Sequence, residues 1–268
     1  HIISDGIFSL DGGILFGTVP RMLWGSKVIP DHENRIVLGL NSLLIQTGMK
    51  NILVDTGIGS KLSLQRKRFY DAKCGRLVTG LTELGLEPSD IDLVVLTHLH
   101  FDHAGGCTYF NNSRQAVPTF PTAVHIVQQS EWEEATHTNE RTDATYSPED
   151  FRPLQEQGNL KLINGDIEIA PGILVTRTGG HTLGHQGILI QSKGKTAAYL
   201  GDILPTPYHI RLPYITAADL EPLETLRKKR EMLDQAEKEQ WLLFFGHGLD
   251  QKYGYLEHVD GKLALKNC

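Results

Sequence analysis

The sequence predicts a single α/β domain over residues 1–268. Three observations carry that expectation. Short continuous apolar runs, Ile91–Thr97 (IDLVVLT) and Trp241–Gly246 (WLLFFG), have the length and composition of strands buried on both faces. Other stretches place apolar residues at helical spacing. A chain of 268 residues, 40% hydrophobic and 22% charged, can bury a substantial core without disulfides.

The elements follow in order. Ile36–Ile45 is rich in branched apolar residues, Gln46–Lys50 makes a glycine-bearing turn, and Asn51–Val54 is a second apolar run; together they predict a hairpin. Leu77, Leu81 and Leu84 predict a helix within Arg76–Leu86, which Pro88-Ser89-Asp90 ends. The Ile91–Thr97 strand runs straight into His98. Asn111–Pro121 reads as a loop, Ala123–Val127 as a strand, and Ser130 as the cap of a short acidic helix. Thr136–Pro153 is polar and reads as a surface loop or a mobile lid. Strands are expected at Leu160–Ile163, Ile173–Arg177, Gly187–Ile190 and Thr196–Leu200. Asp219 is expected to cap a helix bearing Leu220, Leu223, Leu226, Leu233 and Ala236, solvated on its charged face and ending near Gln240. Trp241–Gly246 then leads into His247. No repeat or linker is evident.

Charge and cysteines exclude several classes. Lys plus Arg number 26 and Asp plus Glu 32, a formal charge of −6, which lacks the basic footprint of a strong nucleic-acid binder. Cys74, Cys107 and Cys268 are odd in number and far apart, so they form neither a disulfide framework nor a metal knuckle and read as free thiols of a reducing compartment. No apolar run has the length of a bilayer span, and residues 1–17 lack the pattern of a signal peptide, so a cytoplasmic location is the default expectation.

The strongest signal is His98-Leu99-His100-Phe101-Asp102-His103, four ligand-type side chains in six residues directly after a buried strand. Neutral imidazole and carboxylate are the donors that zinc, manganese and iron accept. The same arrangement recurs at His181 after Ile173–Arg177, at Asp202 after Thr196–Leu200 and at His247 after Leu242–Phe245. Each time a ligand-type residue stands beside glycine just past a strand end, where the sites of layered α/β folds gather.

The segments HLHFDH, GGHTLGH, YLGD and FFGHG resemble the metal-binding motifs of the metallo-β-lactamase superfamily, and the resemblance runs from Asp55-Thr56-Gly57 to His247. It implies a four-layer αββα sandwich of two mixed sheets flanked by helices. It assigns His98, His100 and His181 to one metal, Asp102, His103 and His247 to a second, and Asp202 to a bridge between them. Asp55 would steady the loop of the first motif, with a simple turn aspartate as the alternative, and His185 would make structural hydrogen bonds. Departures narrow the branch: true β-lactamases of the superfamily carry cysteine where Asp202 stands, and flavodiiron proteins carry glutamate where His100 stands. HLHFDHAGG, the Asp202–Thr206 segment and the stretch Asp219–Phe245 are similar to quorum-quenching N-acyl homoserine lactonases and related hydrolases, although Ile203-Leu204-Pro205 follows the aspartate where those lactonases carry an early tyrosine.

The function implied is a dinuclear hydrolase, with zinc first and manganese, iron or cobalt as alternatives, whose metal-bridging hydroxide opens a lactone or cleaves a related ester. Asp102, Tyr208 and His209 are the candidate catalytic groups for proton transfer and substrate contact. Phe16, Met22, Trp24 and Phe101 are candidates for an apolar pocket, with core packing as the ordinary alternative for aromatics. A phosphodiesterase or phosphotriesterase, a glyoxalase-like thioesterase or sulfur dioxygenase, and a non-catalytic metal-binding protein stand as alternatives. The expected partner is a small ester or lactone, without nucleic acid or membrane; a homodimer is compatible with the sequence.

Overall fold

The computed structural model describes residues 1–259 and 261–266, so Cys268 lies outside the described residues. The chain divides into two compact units, residues 1–8 with 39–164 and residues 9–38 with 165–268. Among the described residues no helix is long and apolar enough to cross a membrane.

The first unit is built on a sheet of β1 (Ile2–Asp11), β2 (Arg35–Gln46), β3 (Asn51–Val54), β4 (Leu93–Val95), β7 (Val124–Gln128) and β8 (Leu160–Ile163), in that spatial order; β1 and β2 also supply residues to the second unit. The expected hairpin is present: β2 and β3 are antiparallel, with Leu43 opposite Val54 and Gln46 opposite Asn51. β3, β4, β7 and β8 are parallel neighbours. Parallel strands covered on both faces need continuous apolar runs, which is why Leu93, Val94 and Val95 carry no polar alternation and are all buried. Leu77 and Leu81 of the helix Leu77–Glu83 pack with Phe120, Phe151 and Leu154 in this unit's core.

Two stretches expected to be loops are structured. Ala116–Pro118 (β6) pairs with Thr108–Phe110 (β5) across a turn in which the Asn111 carboxamide oxygen accepts from the Ser113 and Gln115 amides. Pro148–Glu156 is a helix that opens on proline and buries Phe151 and Leu154 one turn apart. Its few apolar residues and the internal Pro153 hide the period. The acidic helix spans Gln129–Thr136 and starts one residue before the expected cap Ser130.

The second unit carries the sheet β15-β14-β13-β12-β11-β10-β9, formed by β9 (Ile167–Ala170), β10 (Ile173–Arg177), β11 (Gln186–Ser192), β12 (Lys195–Tyr199), β13 (Leu242–Phe244), β14 (Tyr253–Val259) and β15 (Lys262–Lys266). β9 to β12 run antiparallel in sequence, whereas β12 and β13 are parallel and need a crossover, which the helix Pro222–Lys238 provides. That helix buries Met232, Leu233 and Ala236 against Trp241, Leu243 and Phe245. The residue preceding it is Glu221, not the expected cap Asp219, which lies in the loop before it and serves a different purpose.

Two deeply buried histidines set a pH dependence. Burial pushes the His125 imidazole of β7 down to about 4, and burial together with the charge of Lys229 does the same to His209 in the second unit. In the unfolded chain each protonates near 6.5. The unfolded state therefore binds more protons between about pH 6.5 and 4, and stability falls as pH falls through that window, by roughly 3 kcal/mol for each group once it is traversed. Thermal melts of metal-free protein between pH 7 and 4.5 are expected to show the decline, and His125→Phe should flatten it. Equal pH slopes for wild type and variant would contradict this account of His125.

Candidate functional site

The first unit holds one cluster of ligand-type residues at the C-terminal end of β4. The strand delivers Thr97 and His98, and the short helix Phe101–Ala104 turns Asp102 and His103 back toward them. The His98 ring lies 4.4 Å from that of His100 and 4.1 Å from that of His103, centre to centre, and all three residues are buried. The His103 Nε2 is 3.8 Å from Asp102 Oδ2. Three imidazoles this close would repel one another if protonated, so the arrangement suits neutral rings that donate lone pairs.

Asp55 organises this cluster from the end of β3. Its Oδ2 lies 2.9 Å from His103 Nδ1, and its two oxygens also accept from the amide and hydroxyl of Thr97. The Thr97 hydroxyl is itself 3.0 Å from His98 Nδ1. Asp55 has φ 54°, a left-handed conformation that strains a non-glycine residue and persists only where its surroundings enforce it. The next residue, Thr56, donates its amide and hydroxyl to the His103 carbonyl at 2.7 and 2.9 Å. Gly106 lets the two loops approach this closely, since a Cβ there would lie 2.2 Å from the Thr56 carbonyl oxygen.

Lys61 and Asp150 support the same loop from below as a buried ion pair of 3.0 Å, and the Lys61 ammonium also donates to the carbonyls of Gly105 and Thr108. Burial raises the Asp150 carboxyl above its ordinary range although Lys61 opposes that. Cys107 is buried with its sulfur 3.4 Å from the Thr56 hydroxyl, and burial pushes its thiol up to about 12, so it is a packing residue rather than a thiolate ligand.

The second unit holds a second cluster. Asp202 follows β12, and its two carboxylate oxygens face two histidines: Oδ2 is 3.5 Å from His181 Nε2, and Oδ1 is 3.3 Å from His247 Nε2. These separations are long for hydrogen bonds and short for unrelated side chains. His181 Nδ1 is held at 2.8 Å by Asp219 Oδ1, which also accepts from the Thr216 hydroxyl at 2.6 Å. Burial alone would raise the Asp219 carboxyl, but the bonds from His181 and Thr216 outweigh it and the group stays below its usual range. Gly180, at φ +86°, sets His181 against the helix Pro222–Lys238, where a Cβ would strike Thr225 at 2.4 Å. His185 makes the structural bonds expected of it: Nδ1 meets the Thr178 hydroxyl, and Nε2 accepts the Asp202 amide at 3.0 Å.

The remaining candidates separate. Both His209 nitrogens are engaged, Nδ1 with Thr206 Oγ1 at 2.8 Å and Nε2 with the Leu15 carbonyl at 3.0 Å, and the ring stacks on Phe16 at 5.5 Å. Tyr208 is half-buried, with its ring edge on Phe16, and burial and the charge of Asp250 raise its phenol. Phe16 and Trp24 stack at 5.1 Å within the second unit's interior, Phe101 is buried beside Arg66 and Tyr70, and Met22 is exposed.

The donor chemistry fits divalent metal. A ligating histidine characteristically gives its second nitrogen to a carboxylate, which fixes the ring and strengthens the donor, and His103 with Asp55 and His181 with Asp219 do so here. The sequence does not mark Asp219 as a partner of His181, because a lone acid before a helix reads as a cap, nor Glu131 as a buried acceptor, because a glutamate in an acidic helix reads as solvated.

With this fold and these clusters, the chain belongs to the metallo-β-lactamase superfamily, whose sequence profile matches residues 35–247. It is a metal-dependent hydrolase of the α/β metallo-β-lactamase fold. An N-acyl homoserine lactonase of a Bacillus species is 31% identical over 225 residues, 79% of this chain and 82% of the relative. Among solved structures, a probable metal-dependent hydrolase from Staphylococcus aureus superposes with a TM-score of 0.91 at 33% identity, covering 100% of this chain and 96% of that one. An N-acyl homoserine lactone hydrolase with N-hexanoyl-L-homoserine at its catalytic metal centre gives 0.72 at 27% identity, covering 94% and 93%.

Proposed function

We propose that this protein is a dinuclear hydrolase that opens a lactone ring or cleaves a related carboxylic ester, with N-acyl homoserine lactones as the first substrates to test. The observation that carries the reading is the Asp202 carboxylate, which turns one oxygen toward His181 and the other toward His247, as a bridging ligand must. In this reading His98, His100 and His181 hold one divalent ion, Asp102, His103 and His247 hold the other, and Asp202 is shared. The nitrogen-rich set with few carboxylates favours zinc. When bound, such a pair supplies an activated water near neutral pH and polarises the scissile carbonyl.

The chain's own residues do the rest. Asp55 and Asp219 keep the His103 and His181 rings oriented and basic. His185 fixes the backbone of Asp202, so the carboxylate can swing little. Asp102, a partly accessible carboxylate, would take up the proton given off by the attacking water and return it to the leaving alkoxide. Tyr208 stays protonated at working pH and donates a hydrogen bond to the substrate. His209 has a structural role here rather than a catalytic one, because packing uses both its nitrogens. The resemblance to lactonases in sequence and fold supports the substrate class.

The test is metal removal and return, read on a substrate panel. Stripping with a chelator is expected to abolish lactone hydrolysis and lower the melting temperature by roughly 10 °C, since binding at 100–1,000 times Kd contributes about 3–4 kcal/mol. Zinc should restore both. Restored activity confined to aryl phosphodiesters or thioesters would overturn the substrate assignment, and unchanged activity after chelation would overturn the metal assignment.

A further inference from the structure

The polar segment between residues 136 and 147 has no part in the chemistry above, yet it touches the most ligand-rich stretch of the chain. The Phe101 amide donates to the Thr145 carbonyl at 3.0 Å, and His100 and Tyr146 form an isolated antiparallel bridge. The Tyr146 ring lies 5.0 Å from the His100 imidazole at 59°. On the other side of the same stretch, the fully buried Glu131 accepts the Leu99 amide on Oε1 at 2.8 Å. The Tyr146 hydroxyl donates to that same oxygen at 3.2 Å. A carboxylate in the core is costly unless its bonds need it, and these bonds close a ring through Leu99, His100 and Tyr146.

We propose that Glu131 and Tyr146 are positioning residues that clamp the backbone on both sides of His100 and thereby aim its imidazole at the metal. Leu99 and Phe101 flank His100, and both their amides are spoken for. With its neighbours pinned and its ring against Tyr146, the His100 side chain has one arrangement available. The polar segment is thus a strap that holds the ligand loop, not a lid over it. The clamp acts through His100 and touches neither substrate nor metal itself. Side chains that orient ligating residues characteristically change metal affinity or activity by 10–100-fold.

The inference rests on the assignment of His100 as a ligand, and one experiment separates the two. Wild type, Glu131→Leu, Glu131→Gln and Tyr146→Phe are loaded with cobalt(II), and affinity and the visible d–d spectrum, which reports ligand geometry, are recorded with the urea midpoint of each metal-free protein. Glu131→Leu is expected to weaken cobalt binding 10–100-fold and alter the spectrum. Glu131→Gln, which keeps an acceptor for Leu99, should recover affinity to within about threefold (roughly 0.6 kcal/mol). Tyr146→Phe, which keeps the ring and loses the hydroxyl, should shift the spectrum with little change in the urea midpoint. Wild-type affinity and spectrum in both Glu131→Leu and Tyr146→Phe would overturn the clamp while leaving His100 a ligand. If Glu131→Leu fails to fold, Tyr146→Phe decides alone. A wild type that takes up no cobalt would overturn the metal assignment and the clamp with it.

Discussion

Asp202→Ala is expected to lower kcat/KM for a lactone by about a thousandfold or more and to leave the far-UV circular dichroism unchanged. The asymmetry between chemistry and fold follows from how the residue is held. Its carboxylate faces His181 and His247, and its backbone amide is bonded to His185. Alanine deletes the first pair of contacts and keeps the amide bond, so the turn after β12 retains its anchor. Side chains that orient a ligand are typically worth 10–100-fold, and on the proposed reading Asp202 should exceed that, because both ions would lose a donor and a compensating charge. His100→Ala is expected to fall in the same range. Metal content, measured on the same samples, should drop below two per chain. Turnover at the wild-type rate in Asp202→Ala would remove the dinuclear reading.

Lys61→Met is expected to be the most destabilising single change, by about 3–5 kcal/mol in urea denaturation. It leaves Asp150 buried without its cation and removes donors from the Gly105 and Thr108 carbonyls. Those carbonyls belong to the loop that continues from His103 through Gly105 to Thr108, so activity should fall as well. Replacing both partners tells the two effects apart. Lys61→Met with Asp150→Leu exchanges a buried pair for apolar contacts and should recover most of the lost stability, since such exchanges are often neutral. A single variant within about 0.5 kcal/mol of wild type would show that solvent reaches this pair, contrary to its burial.

The candidate ligand residues were legible because they stand just past the ends of apolar runs, with glycine beside His181, Asp202 and His247, and a parallel or crossover-fed strand must be uniformly apolar to be buried on both faces. Ile91–Thr97 and Trp241–Gly246 announced β4 and β13 for that reason. β1 was not legible: Ser4, Asp5, Gly6 and Ser9 break its pattern, and Asp5 is buried to accept the amides of Gly59, Gly75 and Leu77, partners 54 to 72 residues away. The orienting acids were hidden by the same logic. The partner of each, a histidine for Asp219 and an amide for Glu131, is brought near by the fold from 38 and 32 residues away in sequence. His209 reads as a candidate in the sequence through its closeness to Asp202 along the chain. Thr206-Pro207 was the available signal against it, since a hydroxyl that opens a tight turn meets the side chain three residues on.

The interleaving of the two units has a consequence for biosynthesis. As the ribosome extends the nascent polypeptide, every residue of the first unit has been made by Asn164, whereas residues 9–38 of the second emerge early and wait for partners encoded more than a hundred codons later. Until residue 165 and beyond are translated, Leu15, Phe16 and Trp24 have no finished interior to enter, which makes that interval the one in which a chaperone would matter most.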